Sequence, residues 1–149
     1  MALQRRTARA IIIHDNQILL VERWRPGHHY FSIPGGGIEP AETPEQTMQR
    51  EVAEETGCVV QTERQIYFLQ LADGTEHYFF LARYISGEPH LPADSPEALG
   101  NGPENRFLPR WVPLVELPEL PFLVWLPIKE QLVHDLHSGF PDSVLTLAG

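Results

Sequence analysis

The chain has 149 residues, 42% of them hydrophobic and 21% charged, which predicts one globular domain over residues 1–149 and excludes intrinsic disorder. Its 11 Lys and Arg stand against 20 Asp and Glu, and the formal charge of −9 argues against nucleic acid as a partner. Cys58 is the single cysteine, which excludes a disulfide framework, and no apolar run reaches the ~20 residues of a membrane span, so we expect a cytoplasmic protein without a membrane partner.

The first predicted elements are strands. Two apolar, β-rich runs at residues 7–13 and 17–22 flank a polar link at residues 14–16, a pattern that predicts a β-hairpin. A short strand is predicted at residues 30–33. Three glycines follow it, Gly35, Gly36 and Gly37, and they allow the backbone to approach another group closely.

The clearest helix signals lie at residues 43–57. Thr43 is a predicted N-cap, Pro44 suits the first helical position, and Gln46 completes a capping box three residues after Thr43. Gly57 supplies the C-terminal stop. One helix with both ends fixed by local sequence is therefore expected.

The second half of the chain is predicted to begin with two strands, at residues 59–70 and 77–85, and a long loop at residues 89–109. A short strand at residues 110–113 and a helix at about residues 127–137 follow. Asp73 and Gly74 form the turn between the two long strands, and Gly139 ends the last helix. Long loops in compact domains are often functional. The tail after residue 141 predicts no element.

Three glutamates of the first helix form an acidic face. Glu51, Glu54 and Glu55 are spaced i, i+3 and i+4, so they occupy one arc of roughly 100° and repel one another by about 0.2–0.5 kcal/mol per pair. No lysine lies between them, and Arg50 is the only cation of the helix. This spacing alone fits either a solvated acidic face or a site for Mg²⁺, which prefers oxygen ligands.

A wider pattern contains this face. Gly36, Glu42 and the run from Arg50 to Cys58 (REVAEETGC) match every fixed position of G-x5-E-x7-R-E-U-x-E-E-x-G-U, where U is aliphatic. The pattern resembles the Nudix box, the signature of the Nudix hydrolases. Cys58 departs from the usual aliphatic residue at the last position, but a buried cysteine behaves as a small hydrophobe.

The resemblance implies a fold and a reaction. Nudix proteins are α/β/α sandwiches with a mixed β-sheet between helices. They hydrolyse a pyrophosphate bond in a nucleoside diphosphate linked to another group X, and they use Mg²⁺ or Mn²⁺. The implied partner is thus a small nucleotide. Many relatives are dimers, but the sequence leaves the choice between a monomer and a homodimer open.

The resemblance also assigns roles to individual residues of the box. The metal ligands that it implies are Glu51, Glu54, Glu55 and the carbonyl group of Gly35. Glu54 or Glu55 is also expected to orient or deprotonate the attacking water. Arg50 is expected to hold one of these glutamates in place, and Glu42 to support the arrangement of loop and helix.

Residues outside the helix complete the expected site. In several relatives the catalytic base is a glutamate on a loop before the late strand, a position for which Glu104 and Glu97 are both candidates. We favour Glu104, which lies nearer to that strand. Arg23, Gly36 and Gly37 are the expected contacts to substrate.

Several other side chains have both a functional and a structural interpretation. Four aromatic residues could stack on a base but are more often packing residues: Trp24, Tyr30, Phe31 and Tyr78. His134 and His137 form an isolated i, i+3 pair, which is too little for a zinc site.

Three functions remain open at this stage. The first is a metal-dependent pyrophosphohydrolase, with nucleoside triphosphates ahead of ADP-ribose-like and dinucleoside polyphosphate substrates. The second is a non-catalytic Nudix module that binds a nucleotide and regulates a partner. The third is an acidic scaffold without a ligand. Metal-dependent turnover separates the first from the other two.

Overall fold

The computed structural model describes residues 5–102, 104–121 and 126–149. The strands of the described chain are β1 (Arg6–His14), β2 (Gln17–Arg25), β3 (His28–Ser32), β4 (Gly35–Gly37), β5 (Val59–Gln70), β6 (Glu76–Ser86), β7 (Arg106–Pro113) and β8 (Leu145–Ala148). Its helices are α1 (Pro44–Thr56), α2 (Pro96–Leu99), α3 (Leu126–Ser138) and a 3-10 helix (Leu114–Glu119).

The strands form one mixed sheet in the order β3-β2-β1-β6-β5-β8. The β1–β6 and β5–β8 pairs are parallel, and the other pairs are antiparallel. Two strands lie off this path, because β4 pairs with β1 and β7 pairs with β2. The short glycine strand β4 is therefore fixed to a central strand of the sheet, beside Arg50 and Glu51 in the middle of α1.

Two hydrophobic layers enclose the sheet. Successive side chains of a strand point to opposite faces, so Ile11 and Ile12 of β1 enter different layers. Ile12 packs in one layer with Met48 of α1, and Ile11 packs in the other with Leu132 of α3. The sheet thus lies between helices, which confirms the predicted α/β/α sandwich. Each fully buried Leu, Ile or Met contributes about 1.5–3 kcal/mol to stability.

Helix α1 begins and ends as its sequence predicts. The Thr43 hydroxyl accepts a hydrogen bond from the Gln46 amide at 3.1 Å, and the Gln46 side chain accepts one from the Thr43 amide at 2.9 Å. Pro44 occupies the first turn, and Gly57 caps the C-terminus with φ at 72°. The predicted hairpin is also confirmed, since Asp15 and Asn16 make the tight turn between β1 and β2.

The structure corrects the predicted elements in three places. The loop at residues 89–109 contains the short helix α2, which is capped by Ser95. Strand β7 begins at Arg106 rather than at residue 110, because it pairs with β2 as far as Trp24. The tail contains β8, whose parallel pairing with β5 left no local signal. In the described part of the chain, no helix has the length and apolar character needed to cross a membrane.

Candidate active site

A cleft of about 500 Å³ lies between the glycine strand, helix α1 and the loop that carries α2. Its walls carry opposite charges. The residues that line it are four arginines (Arg5, Arg9, Arg23, Arg25), three glutamates (Glu51, Glu55, Glu97), the glycines of β4, and Tyr30, Ser32 and Phe107. We call the lining glutamates the acidic wall of the cleft and the lining arginines its basic wall.

Carboxylates from two separate elements meet at the acidic wall. Oxygens of Glu51, Glu54 and Glu97 lie within 4.8 Å of one another. Glu51 and Glu54 come from α1, whereas Glu97 comes from α2, whose cap is the buried Ser95. Within the described residues, Glu97 Oε2 is buried and has no hydrogen-bond partner. The cluster therefore contains a buried carboxylate oxygen, Glu97 Oε2, that the described residues leave without a hydrogen bond, while Glu51 and Glu54 accept from Arg50.

Glu55 lies at the floor of the cleft and is 9% exposed. Burial raises its pKa to about 8; the nearby Arg9 opposes this shift, and the charges of Glu51 and Glu97 add to it. Burial likewise raises the pKa of Glu51. Because each ionised carboxylate disfavours the ionisation of the others, the acidic wall holds fewer than its full number of negative charges when no cation is present.

Arg50 organises the acidic face of α1. Its guanidinium donates to both carboxylate oxygens of Glu42, at 2.7 and 2.9 Å, and to Glu51 Oε1 at 3.0 Å. Glu42 also accepts hydrogen bonds from the Glu39 amide and the Thr47 hydroxyl. These contacts lower the pKa of Glu42 to about 2, with the Arg50 hydrogen bonds as the largest cause. Glu42 is thus bound to the loop before α1 and to the helix itself.

The glycine strand makes room for the acidic wall. A Cβ atom on Gly36 would lie 2.6 Å from Glu51 Oε1, which is closer than real Cβ contacts allow. A Cβ atom on Gly35 would overlap the Ala8 carbonyl group of β1. Gly37, by contrast, has nothing within 4 Å of that position. Gly35 is therefore required by close packing against the backbone of β1, whereas a side chain at residue 36 would displace the Glu51 carboxylate.

The basic wall is held in place by contacts of its own. Arg9 is buried in β1 and donates to the Ile33 carbonyl oxygen at 2.8 Å, and burial lowers its pKa to about 10. The Arg23 guanidinium lies 3.6 Å from the ring centroid of Phe107 and donates to Asn105 Oδ1 at 2.9 Å. Arg9 and Arg23 are therefore held at fixed positions in the cleft.

The structure brings most of the sequence-predicted site residues together. Those that line the cleft or join the cluster are Arg23, Gly35, Gly36, Gly37, Glu51, Glu54 and Glu55. Glu104 is exposed and does not line the cleft, whereas Glu97 does. The preference for Glu104 over Glu97 is therefore not supported by position, because nearness in sequence to the late strand does not bring Glu104 near the carboxylates.

Only one of the four candidate stacking residues, Tyr30, lines the cleft. Trp24 stacks on His29 on the other face of β2, Phe31 packs in the α3 layer, and Tyr78 accepts a hydrogen bond from Arg6. Arg5, Arg9 and Arg25 line the cleft although the sequence did not mark them as site residues. The alternation of Arg23 and Arg25 on one face of β2 was a signal for Arg25, and the Ser95-Pro96 pair was a signal for the helix that carries Glu97.

Comparison with known proteins agrees with this fold. The family model for the NUDIX domain matches residues 4–135. An ADP-ribose pyrophosphatase of Methanocaldococcus jannaschii is 36% identical over 107 residues, a match that covers 65% of this chain and 63% of that protein. A putative 8-oxo-dGTP diphosphatase of Bacillus subtilis is 28% identical over 139 residues, covering 92% of this chain and 82% of that protein. The chain thus spans less than two thirds of the archaeal relative.

The fold itself is found in solved structures. A crystal structure of a NUDIX hydrolase from Nitrosomonas europaea superposes with a TM-score of 0.75, over 100% of this chain and 81% of that one. Its sequence identity is 18%, so this likeness concerns the fold alone.

Proposed function

The chain belongs to the Nudix family, and from that membership we propose that it is a metal-dependent pyrophosphohydrolase, acting on a nucleoside diphosphate linked to a group X. The observation that carries the proposal is the meeting of two charged walls in one cleft. Four of the chain's 11 lysines and arginines line it, although the net charge is −9. A ligand that satisfies both walls combines phosphate groups with a divalent cation. One domain over residues 1–149 is part of the proposal, and the pairing of β8 with β5 supports it.

The residues of the acidic wall fit a hard divalent cation. The donors are all oxygens, they come within 4.8 Å of one another, and Glu97 Oε2 lacks a partner among the described residues. Glu51, Glu54 and Glu97 would hold Mg²⁺ or Mn²⁺, with Glu55 and the Gly35 carbonyl group beside them. When bound, the cation neutralises phosphate charge and makes coordinated water more acidic.

The chain's own side chains carry the remaining work. Arg50 orients Glu51 and is itself fixed by Glu42, so the acidic wall keeps its shape when substrate enters. We propose Glu97, rather than Glu104, as the loop glutamate that accepts a proton from the attacking water, because its Oε2 is buried at the cluster. The water oxygen forms a bond to phosphorus, the bridging P–O bond of the anhydride breaks, and the leaving phosphate group takes the bond's electron pair.

The basic wall favours a substrate with a terminal phosphate. Such a phosphate carries about −1.5 to −2 charge at neutral pH, whereas each phosphate of a pyrophosphate diester such as ADP-ribose carries one negative charge. Four arginines match the larger charge better. We therefore propose a nucleoside triphosphate as the preferred substrate, with a nucleoside monophosphate and pyrophosphate as products. Arg23, Gly36 and Gly37 are the proposed contacts to it.

The test is product formation from a panel of compounds with Mg²⁺, with Mn²⁺ and with a chelator. The panel contains dNTPs, oxidised dNTPs, ADP-ribose, NADH, dinucleoside polyphosphates and nucleotide sugars. We expect turnover that the chelator abolishes, with the highest kcat/KM on a triphosphate. Preference for ADP-ribose would overturn the substrate assignment alone. Tight binding without turnover of any compound would favour the non-catalytic regulatory module.

A further inference from the structure

We propose that Asn105 is a positioning residue that couples the substrate-side arginine, Arg23, to the helix that carries Glu97. This inference rests on one part of the proposed function, the contact between Arg23 and a phosphate group of the substrate. Asn105 does not line the cleft. Its amide group joins two elements that do.

The first half of the coupling is the bond to Arg23. Asn105 Oδ1 accepts a hydrogen bond from Arg23 Nη2 at 2.9 Å, while Phe107 supports one face of the guanidinium at 3.6 Å. Tyr30 lies 5.8 Å from the same guanidinium. Among the described residues, Arg23 Nε is buried and has no hydrogen-bond partner. Asn105 therefore fixes the orientation of a planar cation that keeps donor capacity for a ligand.

The second half is the bond to the loop. The Asn105 Nδ2 group donates to the Gly100 carbonyl oxygen at 3.4 Å, and the Asn105 backbone exchanges two hydrogen bonds with Gly102, at 2.8 and 3.1 Å. Gly100 caps helix α2, and its amide donates to the Pro96 carbonyl oxygen at 3.1 Å. Glu97 is the next residue after Pro96. A short chain of contacts thus leads from Arg23 through Asn105 to the turn that presents Glu97.

The physical consequence is preorganisation on both sides of the cleft. A free arginine side chain loses rotamer entropy when a ligand orders it, and a side chain that is already ordered avoids most of this cost. Removal of the Asn105 amide leaves Arg23 free to rotate on Phe107 and loosens the attachment of α2. The loss at Arg23 weakens phosphate binding, and the loss at α2 lowers the rate.

The test is a double-mutant cycle on binding, with inorganic triphosphate and Mg²⁺ as the probe and calorimetry as the measurement. We expect Asn105→Ala to weaken Kd by roughly 5- to 20-fold in the wild-type background, which is the order expected for lost preorganisation. In the Arg23→Ala background the same change should weaken Kd much less, because the larger part of its effect on binding acts through Arg23 and only the smaller part through Glu97 on α2. Asn105→Ser provides a second variant if Asn105→Ala fails to fold.

Asn101 supplies a matched control. It lies in the same loop, and its Oδ1 accepts a hydrogen bond from the Phe107 amide at 2.9 Å, but it has no bond to the guanidinium of Arg23. Asn101→Ala should leave Kd for inorganic triphosphate within about twofold of wild type. Equal losses from Asn101→Ala and Asn105→Ala would show general loosening of the loop and overturn the proposal. Additive effects of Asn105→Ala and Arg23→Ala would overturn it as well.

Kinetics separate this proposal from the proposed function. On a substrate that the wild type turns over, Asn105→Ala should raise KM and lower kcat, whereas Asn101→Ala should change neither by more than about twofold. No turnover on any panel compound, with the calorimetric coupling intact, would refute the enzyme assignment and leave the role of Asn105 standing. Failure of the wild type to bind triphosphate would refute the role of Asn105.

Discussion

Arg50 donates two parallel hydrogen bonds to the Glu42 carboxylate, from Nε to Oε2 at 2.7 Å and from Nη2 to Oε1 at 2.9 Å. The remaining guanidinium nitrogen, Nη1, donates to Glu51 Oε1 at 3.0 Å. A guanidinium can make this bidentate pair and a third bond at once because its donors lie in one fixed plane. The glutamate that orders the loop and a glutamate of the cluster are thereby held by a single side chain.

Arg50→Lys tests this arrangement while keeping the positive charge. The lysine ammonium cannot reproduce the planar pair, so Glu51 should lose its fixed orientation. We expect Mn²⁺ affinity or kcat to fall by about 10- to 100-fold, as is usual when a partner of a metal ligand is changed. Mn²⁺ titration and steady-state kinetics measure the two quantities. Arg83→Lys, at an exposed position of β6, is the control, and equal behaviour of the two variants would contradict the role of Arg50.

Gly36→Ala and Gly37→Ala form a matched pair in the glycine strand. The new Cβ atom at residue 36 meets the Glu51 carboxylate, while the one at residue 37 meets nothing within 4 Å. Because the Glu51 side chain can swing away, we expect Gly36→Ala to remain folded and to bind Mn²⁺ at least tenfold more weakly, roughly the scale of a displaced ligand. Gly37→Ala should bind Mn²⁺ as the wild type does. Unchanged Mn²⁺ binding in Gly36→Ala would remove Glu51 from the metal site.

Glu97→Gln and Glu104→Gln decide between the two loop glutamates. Only Glu97 joins the carboxylate cluster. Because Glu97 is the proposed proton acceptor, Glu97→Gln should lower kcat by about 10²- to 10⁴-fold, with a smaller effect on Mn²⁺ affinity. Glu104→Gln should have near wild-type kinetics. The reverse result would return the base role to Glu104, and large losses in Mn²⁺ binding alone would make Glu97 a ligand only.

Glu55 gives the metal-free protein a predicted pH dependence. Its pKa is raised from 4.5 to about 8, so the folded state retains a proton that the unfolded state has already released. This contribution to stability is complete below pH 4.5 and is lost as the pH rises towards 8. We therefore expect the Tm of the protein in chelator to decrease over that interval, and Glu55→Gln to remove the part that Glu55 causes.

The measurement is thermal unfolding from pH 5 to pH 9, for the wild type, Glu55→Gln and Glu45→Gln, an exposed glutamate on the same helix. The difference in Tm between Glu55→Gln and the wild type should grow with pH, and the difference for Glu45→Gln should not. Glu55→Gln should also lose most of the metal-dependent rate. A difference in Tm that is constant across the pH range would show that Glu55 ionises normally in the fold.

Tyr67→Phe tests how α3 is attached to the sheet. The Tyr67 hydroxyl on β5 donates to Asp135 Oδ2 on α3, and both residues are buried. Without it, Asp135 retains its bonds to Gln131 and His134 but has one oxygen unsatisfied. We expect the free energy of unfolding to fall by about 1–3 kcal/mol in urea denaturation. Tyr78→Phe, which breaks an exposed bond to Arg6, should change it by under about 1 kcal/mol.

The sequence predicted best those features that depend on contacts between residues close together in the chain. Thr43, Gln46 and Gly57 fix the ends of α1 through bonds to near neighbours, and the i, i+3, i+4 spacing brings Glu51, Glu54 and Glu55 to one side of the helix. No distant contact is needed for either result. Local sequence was therefore enough to find the helix and the acidic wall that it carries.

Long-range contacts account for what the sequence did not predict. Glu97 reaches the cluster only because a loop folds back over α1, and Glu104 on the same loop does not line the cleft. Strand β8 lies in a tail whose composition indicates no element. Its alternating Leu145 and Leu147 pack against the core only because the strand pairs with β5. In the sequence, Arg9 is only a charged residue within an apolar strand. Its functional position becomes visible only in the structure, where it lines the cleft.

The parallel pairing of β1 with β6 has a consequence for how the chain is made. Thr7 and His77 touch across this ladder although 70 positions separate them. On the ribosome, where the N-terminus emerges first, the β1–β2 hairpin and α1 can form while the edge of β1 that will pair with β6 is still unpaired. Until β6 has emerged, β1 offers unpaired backbone groups and apolar Ile11 and Ile12 to any other strand. The nascent chain is thus most prone to aggregation during the synthesis of the residues between α1 and β6.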